Sequence, residues 1–238
     1  MKRLGIIGGL GPMATAYFMQ LIIEMTDART DQDHIETIVY NFPKTPDRTK
    51  YILGLSELNP APEMIRIGKL LAQQQVDVLA IPCVTAHYFH AQLEKEIGIP
   101  VVHGIRKTAE YLAERNIRCV GVMATDGTIQ SNLFQQELDA KGIKAVVPDK
   151  VNQRKVMQLI YDDIKAGKRA DMKKFREVTK NLQEQQAEVI ILGCTELSVI
   201  KRDEKLKKGY LDILDVLARS CVLSCGTLKE EYIELMDR

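Results

Sequence analysis

Two segments of this 238-residue chain recur in the same order. LGIIGGLGPMATAYF, from Leu4 to Phe18, aligns with VGVMATDGTIQSNLF, from Val120 to Phe134, at a shift of 116 residues (4 to 120). KLLAQQQVDVLAIPC, from Lys69 to Cys83, aligns with KNLQEQQAEVIILGC, from Lys180 to Cys194, at a shift of 111 residues (69 to 180). The two shifts differ by a five-residue gap (116 − 111), so the chain contains two similar units.

Each unit reads as α/β. Short runs rich in β-branched residues predict strands at Leu4 to Ile7, Thr37 to Tyr40, Val76 to Ile81, Val101 to Val102, Cys119 to Met123, Ala145 to Val147 and Val189 to Leu192. Amphipathic segments between them predict helices, among them Pro12 to Met25, Ala61 to Gln74, Ile105 to Arg115 and Gln130 to Ala140. Apolar strands followed by helices build parallel sheets covered on both faces. The expected architecture is therefore two pseudo-symmetric doubly wound lobes, each a parallel sheet flanked by helices. In such sheets the ligand crevice lies beyond the carboxyl ends of the strands, where the repeat places Cys83 and Cys194.

Charge excludes one class of partner. Lys+Arg 33 against Asp+Glu 32 leaves a formal net charge of +1 without a dense basic block, which is no footprint for nucleic acid. The local run KRDEKLKK, from Lys201 to Lys208, mixes acids with bases and reads as a solvated loop. No stretch is long and apolar enough to span a membrane, and the apolar start of MKRLGIIGGLGP breaks on glycines too early for a signal peptide. Five scattered cysteines without an export signal point to reduced thiols and the cytoplasm.

Thiols at matching strand ends suit one chemistry in particular. Inverting a carbon that carries an acidic hydrogen needs a base on one face and an acid on the other. Two quasi-equivalent cysteines facing one cleft supply both. If each heads the helix that follows it, backbone NH groups and the helix dipole favour a thiolate below the free pKa of about 8.5.

Those residues also carry a resemblance. PCVTAH with GCTEL, GGLGPMAT near the N-terminus, NFPKTPDRT from Asn41 to Thr49, IYDDIKAGK from Ile160 and YLDILDVLAR from Tyr210 resemble the aspartate/glutamate racemase family, on its aspartate racemase side. The resemblance covers essentially the whole chain. It implies a cofactor-independent amino acid racemase, usually a homodimer, with Cys83 and Cys194 as the acid and base pair. It implies Arg48 and Lys165 as cations for the substrate carboxylates. Thr85, Thr125, Thr128 and Thr195 lie in the motifs that line the amino acid. It also implies a second lobe, 99–207, inserted into a first made of 1–98 and 208–238. An acidic amino acid such as aspartate is the expected substrate. Glutamate, a broader range, or a catalytically impaired amino acid-binding protein on the same scaffold are the alternatives. The family usually reads CNT where this chain has Cys83, Val84 and Thr85, so an apolar group replaces an amide that donates and accepts.

Other readings are weaker. Cys83, His87 and His90 lack a fourth ligand for zinc, and no metal is expected. His87 is expected to start the helix after the strand and bond locally. GIIGGLGP spaces its glycines poorly for a dinucleotide, and the second strand ends in Asn41 where a ribose-binding acid would stand. Its glycines, Gly11 among them, suit close approach to a small anionic substrate. An acyl-cysteine mechanism would want a base oriented by a third group, which two near-duplicate thiols do not suggest. Glu196 caps its helix or orients the substrate amine. Cys119 reads as inert core, and Cys221 and Cys225 as packing residues of a C-terminal helix.

Overall fold

A computed structural model describes residues 2–206 and 208–236. Its strands are β1 (Leu4–Gly8), β2 (Thr37–Asn41), β3 (Val78–Ala80), β4 (Cys119–Met123), β5 (Lys144–Val146), β6 (Val189–Leu192) and β7 (Tyr210–Asp212). The helices are α1 (Pro12–Met25), α2 (Arg48–Ile52), α3 (Ala61–Gln73), α4 (His90–Ile97), α5 (Gly104–Glu114), α6 (Asp126–Gln130), α7 (Leu133–Asp139), α8 (Lys150–Gln158), α9 (Met172–Glu184), α10 (Thr195–Glu204) and α11 (Ile213–Cys225).

The repeat becomes two parallel sheets, β2-β1-β3 and β5-β4-β6-β7. The period-2 alternation of the central strands divides their side chains between two cores. Leu4, Ile6, Val78 and Ala80 of the first sheet, with Val120, Val122, Val189 and Ile191 of the second, point into one shared core. Ile7, Leu79 and Ile81 point the other way, under α3 and α4. Met123, Ile190 and Leu192 do the same under α8, α9 and α10.

Two helices cross between the units. Val101 makes a single parallel bridge beside Leu79, as Tyr210 pairs beside Ile190. After these points come α5 and α11, which pack on each other. α5 then packs on α7 of the second unit and α11 on α1 of the first, so each unit lends its last helix to the other.

Several expectations change in detail. Val101 forms a single bridge to Leu79, and Val101 and Val102 make no strand. The helix expected from Gln130 to Ala140 is broken at Asn132, which takes a left-handed conformation (φ 55°) that asparagine tolerates. The stretch 208–238 divides, since β7 adds to the second sheet while α11 packs on α1; Lys207, at the expected boundary, and residues 237–238 lie outside the described residues. Lys201 to Glu204 are the last turn of α10 rather than loop, and Lys201 there finds a buried ion-pair partner in Asp215 at 2.5 Å.

Asp212 caps α11 from a fully buried position. Its Oδ1 accepts from the Leu214 amide (2.9 Å) and the Ser198 hydroxyl (2.6 Å), while Oδ2 has no partner among the described residues. Burial first, and then the Asp215 carboxylate, raise its pKa to about 7. The unfolded carboxyl loses its proton near pH 4. Between about pH 4 and 7 the native state therefore binds the extra proton, and this group's contribution to stability declines as pH rises. Asp212→Asn keeps the Oδ1 acceptor without ionising, and is expected to flatten that slope. Urea unfolding midpoints of both proteins across this range test it; parallel slopes would show that Asp212 does not titrate there.

Candidate active site

Both sulfurs sit where a strand has ended and the chain turns into the next element. Cys83 and Cys194 keep extended backbones (φ −153°, ψ 107° and φ −147°, ψ 136°). Their carbonyls accept from the amides three residues on, Ala86 at 3.1 Å and Leu197 at 2.9 Å. Each residue is 5% exposed. The elements they open differ. Cys194 heads α10, but Cys83 heads a 3-10 stretch, Val84–Phe89, and α4 begins only at His90. The His87 ring takes the Cys83 carbonyl through Nδ1 (3.1 Å), the same carbonyl that an α-helix would offer to the His87 amide. The α-helix dipole therefore bears on Cys194 alone.

The two thiols line one buried cavity of about 10 Å³, room for a single water. Their charged neighbours are opposite in sign. Arg48 lies against Cys83, and its guanidinium donates to the carbonyls of Leu10 (2.9 Å), Pro46 (3.1 Å) and Thr45 (3.4 Å). Burial works against the Arg48 charge, but Cys83, Asp47 and Glu196 more than offset it and hold the pKa up. Cys194 instead donates its S–H to Glu196 Oε2 at 2.9 Å. Burial and then the Glu196 carboxylate push the Cys194 thiol well up, with Lys165 opposing. Lys165 pairs with the other Glu196 oxygen. Burial disfavours its charge, yet Glu196, Cys194 and Cys83 together raise its pKa.

Lys165 and Tyr161 reach the cavity from a π-helical stretch, Leu159–Ile164, closed by the Lys165 amide on the Ile160 carbonyl at 2.9 Å. Such wide turns are rare and concentrate at functional sites. The Tyr161 hydroxyl donates to Asp47 Oδ2 (3.2 Å), joining the two units across the cleft. Burial raises its pKa to about 12, helped by Asp47 and opposed by the Thr49 hydroxyl. On the cleft's other side Thr85, Thr125 and Thr128 bond one another through their hydroxyls at 3.0 to 3.1 Å. Thr85 belongs to the first unit and the other two to the second.

A larger cavity of about 360 Å³ lies outside this chamber. Leu10, Asp47, Arg48, Lys165 and Glu196 line both spaces and form the wall between them. Gly9 lets the outer wall form, since at φ 93° a Cβ would stand 2.4 Å from the Phe42 carbonyl carbon. Gly11 faces Glu196 across the same cavity.

Comparison with known proteins identifies the family. Residues 7–221 match the Asp/Glu/hydantoin racemase family. The chain belongs to that family. As a member it is an isomerase of the amino-acid racemase class. An aspartate racemase from Picrophilus torridus superposes with a TM-score of 0.82 at 30% identity, covering 98% of each chain. A broad-specificity amino-acid racemase from Bacillus subtilis (strain 168) is 28% identical over 227 residues, 92% of this chain and 96% of the relative. The glutamate racemase of Francisella tularensis shares the fold, with a TM-score of 0.68 at 18% identity over 94% of this chain and 80% of its own.

Of the residues singled out in the sequence, Cys83, Cys194, Arg48, Thr85, Thr125 and Lys165 line the inner chamber, as do Thr195 and Glu196. Thr128 stands behind it, bonded to Thr85 and Thr125, and Gly11 lies in the outer cavity. Val84 is a buried apolar wall of the chamber and packs into the shared core. Cys119 is partly buried at the start of β4, while Cys221 and Cys225 are buried in α11. Among the described residues no group of His, Cys, Asp and Glu could hold a metal ion, and no helix is long and apolar enough to cross a membrane. Sequence reasoning missed Asp47 and Tyr161. Each stood inside a quoted motif, PDR and IYDDIKAGK, but their contact joins residues far apart in the chain.

The Glu196 carboxylate is the second cause of the raised Cys194 pKa, so its removal has a definite sign. Glu196→Gln is expected to lower the pH at which Cys194 is alkylated. Peptide-resolved labelling with iodoacetamide against pH, in a Cys83→Ser background, reads this sulfur alone. A midpoint that holds or rises would count against the Glu196 contact.

Proposed function

We propose that the protein is a cofactor-independent amino acid racemase that inverts Cα by a two-base mechanism through Cys83 and Cys194. One observation carries the reading: two thiols in matching backbone positions share a buried chamber, one beside a cation and the other beside a carboxylate. Arg48 supplies the counter-charge for a Cys83 thiolate, while Glu196 keeps Cys194 a thiol. The Cys83 sulfur takes the Cα proton, and the C–H electron pair stays on the carbon. Cys194 then gives its S–H proton to the opposite face, leaving its own sulfur as thiolate. That new charge lies near Lys165, whose pKa Cys194 helps to raise. Starting from the product enantiomer, the same steps run backwards.

A chamber of about 10 Å³ is far smaller than an amino acid, so the units separate to admit one. The Thr85 and Tyr161 hydrogen bonds span the cleft between the two units. Substrate enters from the outer cavity, past Arg48, Lys165 and Glu196. An acidic amino acid such as aspartate suits two cations on the chamber wall and the similarity to the Picrophilus torridus aspartate racemase. The roomy outer cavity and the Bacillus subtilis relative favour a broader range as the second reading. The proposed enzyme acts as a cytoplasmic homodimer without pyridoxal phosphate.

The test is solvent deuterium incorporation at Cα, measured by mass spectrometry over a panel of L and D amino acids without added cofactor. Wild-type protein is expected to label and invert aspartate. Cys83→Ser and Cys194→Ser should each abolish inversion, because a hydroxyl is far harder to deprotonate than a thiol. Each should retain slow exchange of one enantiomer only, and of opposite hands. Inversion persisting in either variant would refute the two-thiol assignment.

A further inference from the structure

The residue four places after each thiol ties its loop to a crossing helix. His87, four after Cys83, is buried; its Nδ1 meets the Cys83 carbonyl at 3.1 Å and its Nε2 accepts from the Gly104 amide at 2.9 Å. The Gly104 bond requires an unprotonated Nε2, so the ring's hydrogen is on Nδ1 and is donated to the Cys83 carbonyl. Burial is the main cause of a pKa lowered to about 4, which keeps this neutral tautomer at working pH. His103 and His90 pack on the ring, with centroids 5.3 and 6.5 Å away. Gly104 is the first residue of α5.

Ser198, four after Cys194, is also buried, and its hydroxyl donates to Asp212 Oδ1 at 2.6 Å. The same oxygen holds the Leu214 amide in the first turn of α11. The side chains differ, but the construction is common to both units. In each, the element that follows the sulfur is anchored to the N-terminus of the helix that packs on the opposite unit.

We propose that His87 is a positioning residue for Cys83, holding that sulfur's backbone to the start of α5, and that Ser198 serves Cys194 in the same way through α11. Neither side chain lines the inner chamber, so neither touches substrate there. Each acts through its own cysteine. A loss of general stability would slow both proton transfers alike, whereas a loss of positioning slows the one on its own face.

The inference rests on the two-thiol reading, whose failure shows independently in the Cys83→Ser and Cys194→Ser variants. The experiment measures Cα deuterium exchange for each enantiomer of the amino acid that wild-type protein inverts fastest. His87→Phe fills the space without either hydrogen bond. It is expected to slow exchange of the enantiomer served by Cys83 by about 10- to 100-fold relative to the other, the scale of a misplacement near 1 Å. The same factor should appear in a Cys194→Ser background, and none in Cys83→Ser. Ser198→Ala should show the opposite bias. His87→Asn keeps an amide donor for the Cys83 carbonyl but releases Gly104, and carries the test with a smaller bias in the same direction if His87→Phe does not fold. Equal slowing of both enantiomers, or no slowing, in the folded His87 variant would overturn the proposal.

Discussion

A parallel sheet must be covered on both faces, and here neither sheet has enough helices of its own to do it. α3 and α4 cover the outside of the first sheet, and α8, α9 and α10 that of the second. The inner faces are closed by a core that both sheets share. α1 and α7 enter that core from their own units, and α5 and α11 enter it from the opposite ones. The exchange holds the carboxyl ends of β3 and β6 on one cleft, and so brings two cysteines far apart in sequence to a common chamber. Apolar burial at about 25 cal/mol per Å² thereby fixes the placement of the chemistry as well as the fold.

Symmetry of backbone is combined with asymmetry of charge. Arg48 stands beside Cys83 and Glu196 beside Cys194, so matching backbones meet charges of opposite sign. The threonine triad and the Tyr161 to Asp47 bond close the cleft at different edges, one with neutral groups and the other with an ionisable pair.

The sequence exposed the fold well because its central strands β1, β3, β4 and β6 are short, largely buried and doubled. Cys119–Met123, Val189–Leu192 and Pro12–Met25 have the expected bounds. Less legible were features set by contacts distant in the chain. β7 carried no strand expectation, and its three residues are set by pairing with Ile190 to Leu192. The 3-10 turn after Cys83 depends on where the His87 ring goes, which local propensity does not encode. Arg48 and Lys165 came from motifs; that Arg48 lies against one sulfur and that Lys165 shares a carboxylate with the other is a property of the assembled cleft. Tyr161 carried no signal of its own, since an aromatic residue in a helical segment ordinarily reads as core.

The π-helical stretch Leu159–Ile164 has a consequence for how this sequence can vary. A wide turn accommodates one residue more than an α turn of the same span, and each residue of an α-helix advances the face by about 100°. Rewinding this stretch as ordinary α-helix at its present length would carry Lys165 about 100° around the axis and part it from Glu196, whereas deleting one residue as it rewinds would leave the flanking residues in register. Point substitutions on the exposed side of this stretch leave its register alone. At this length, the wide winding is what holds Lys165 on Glu196.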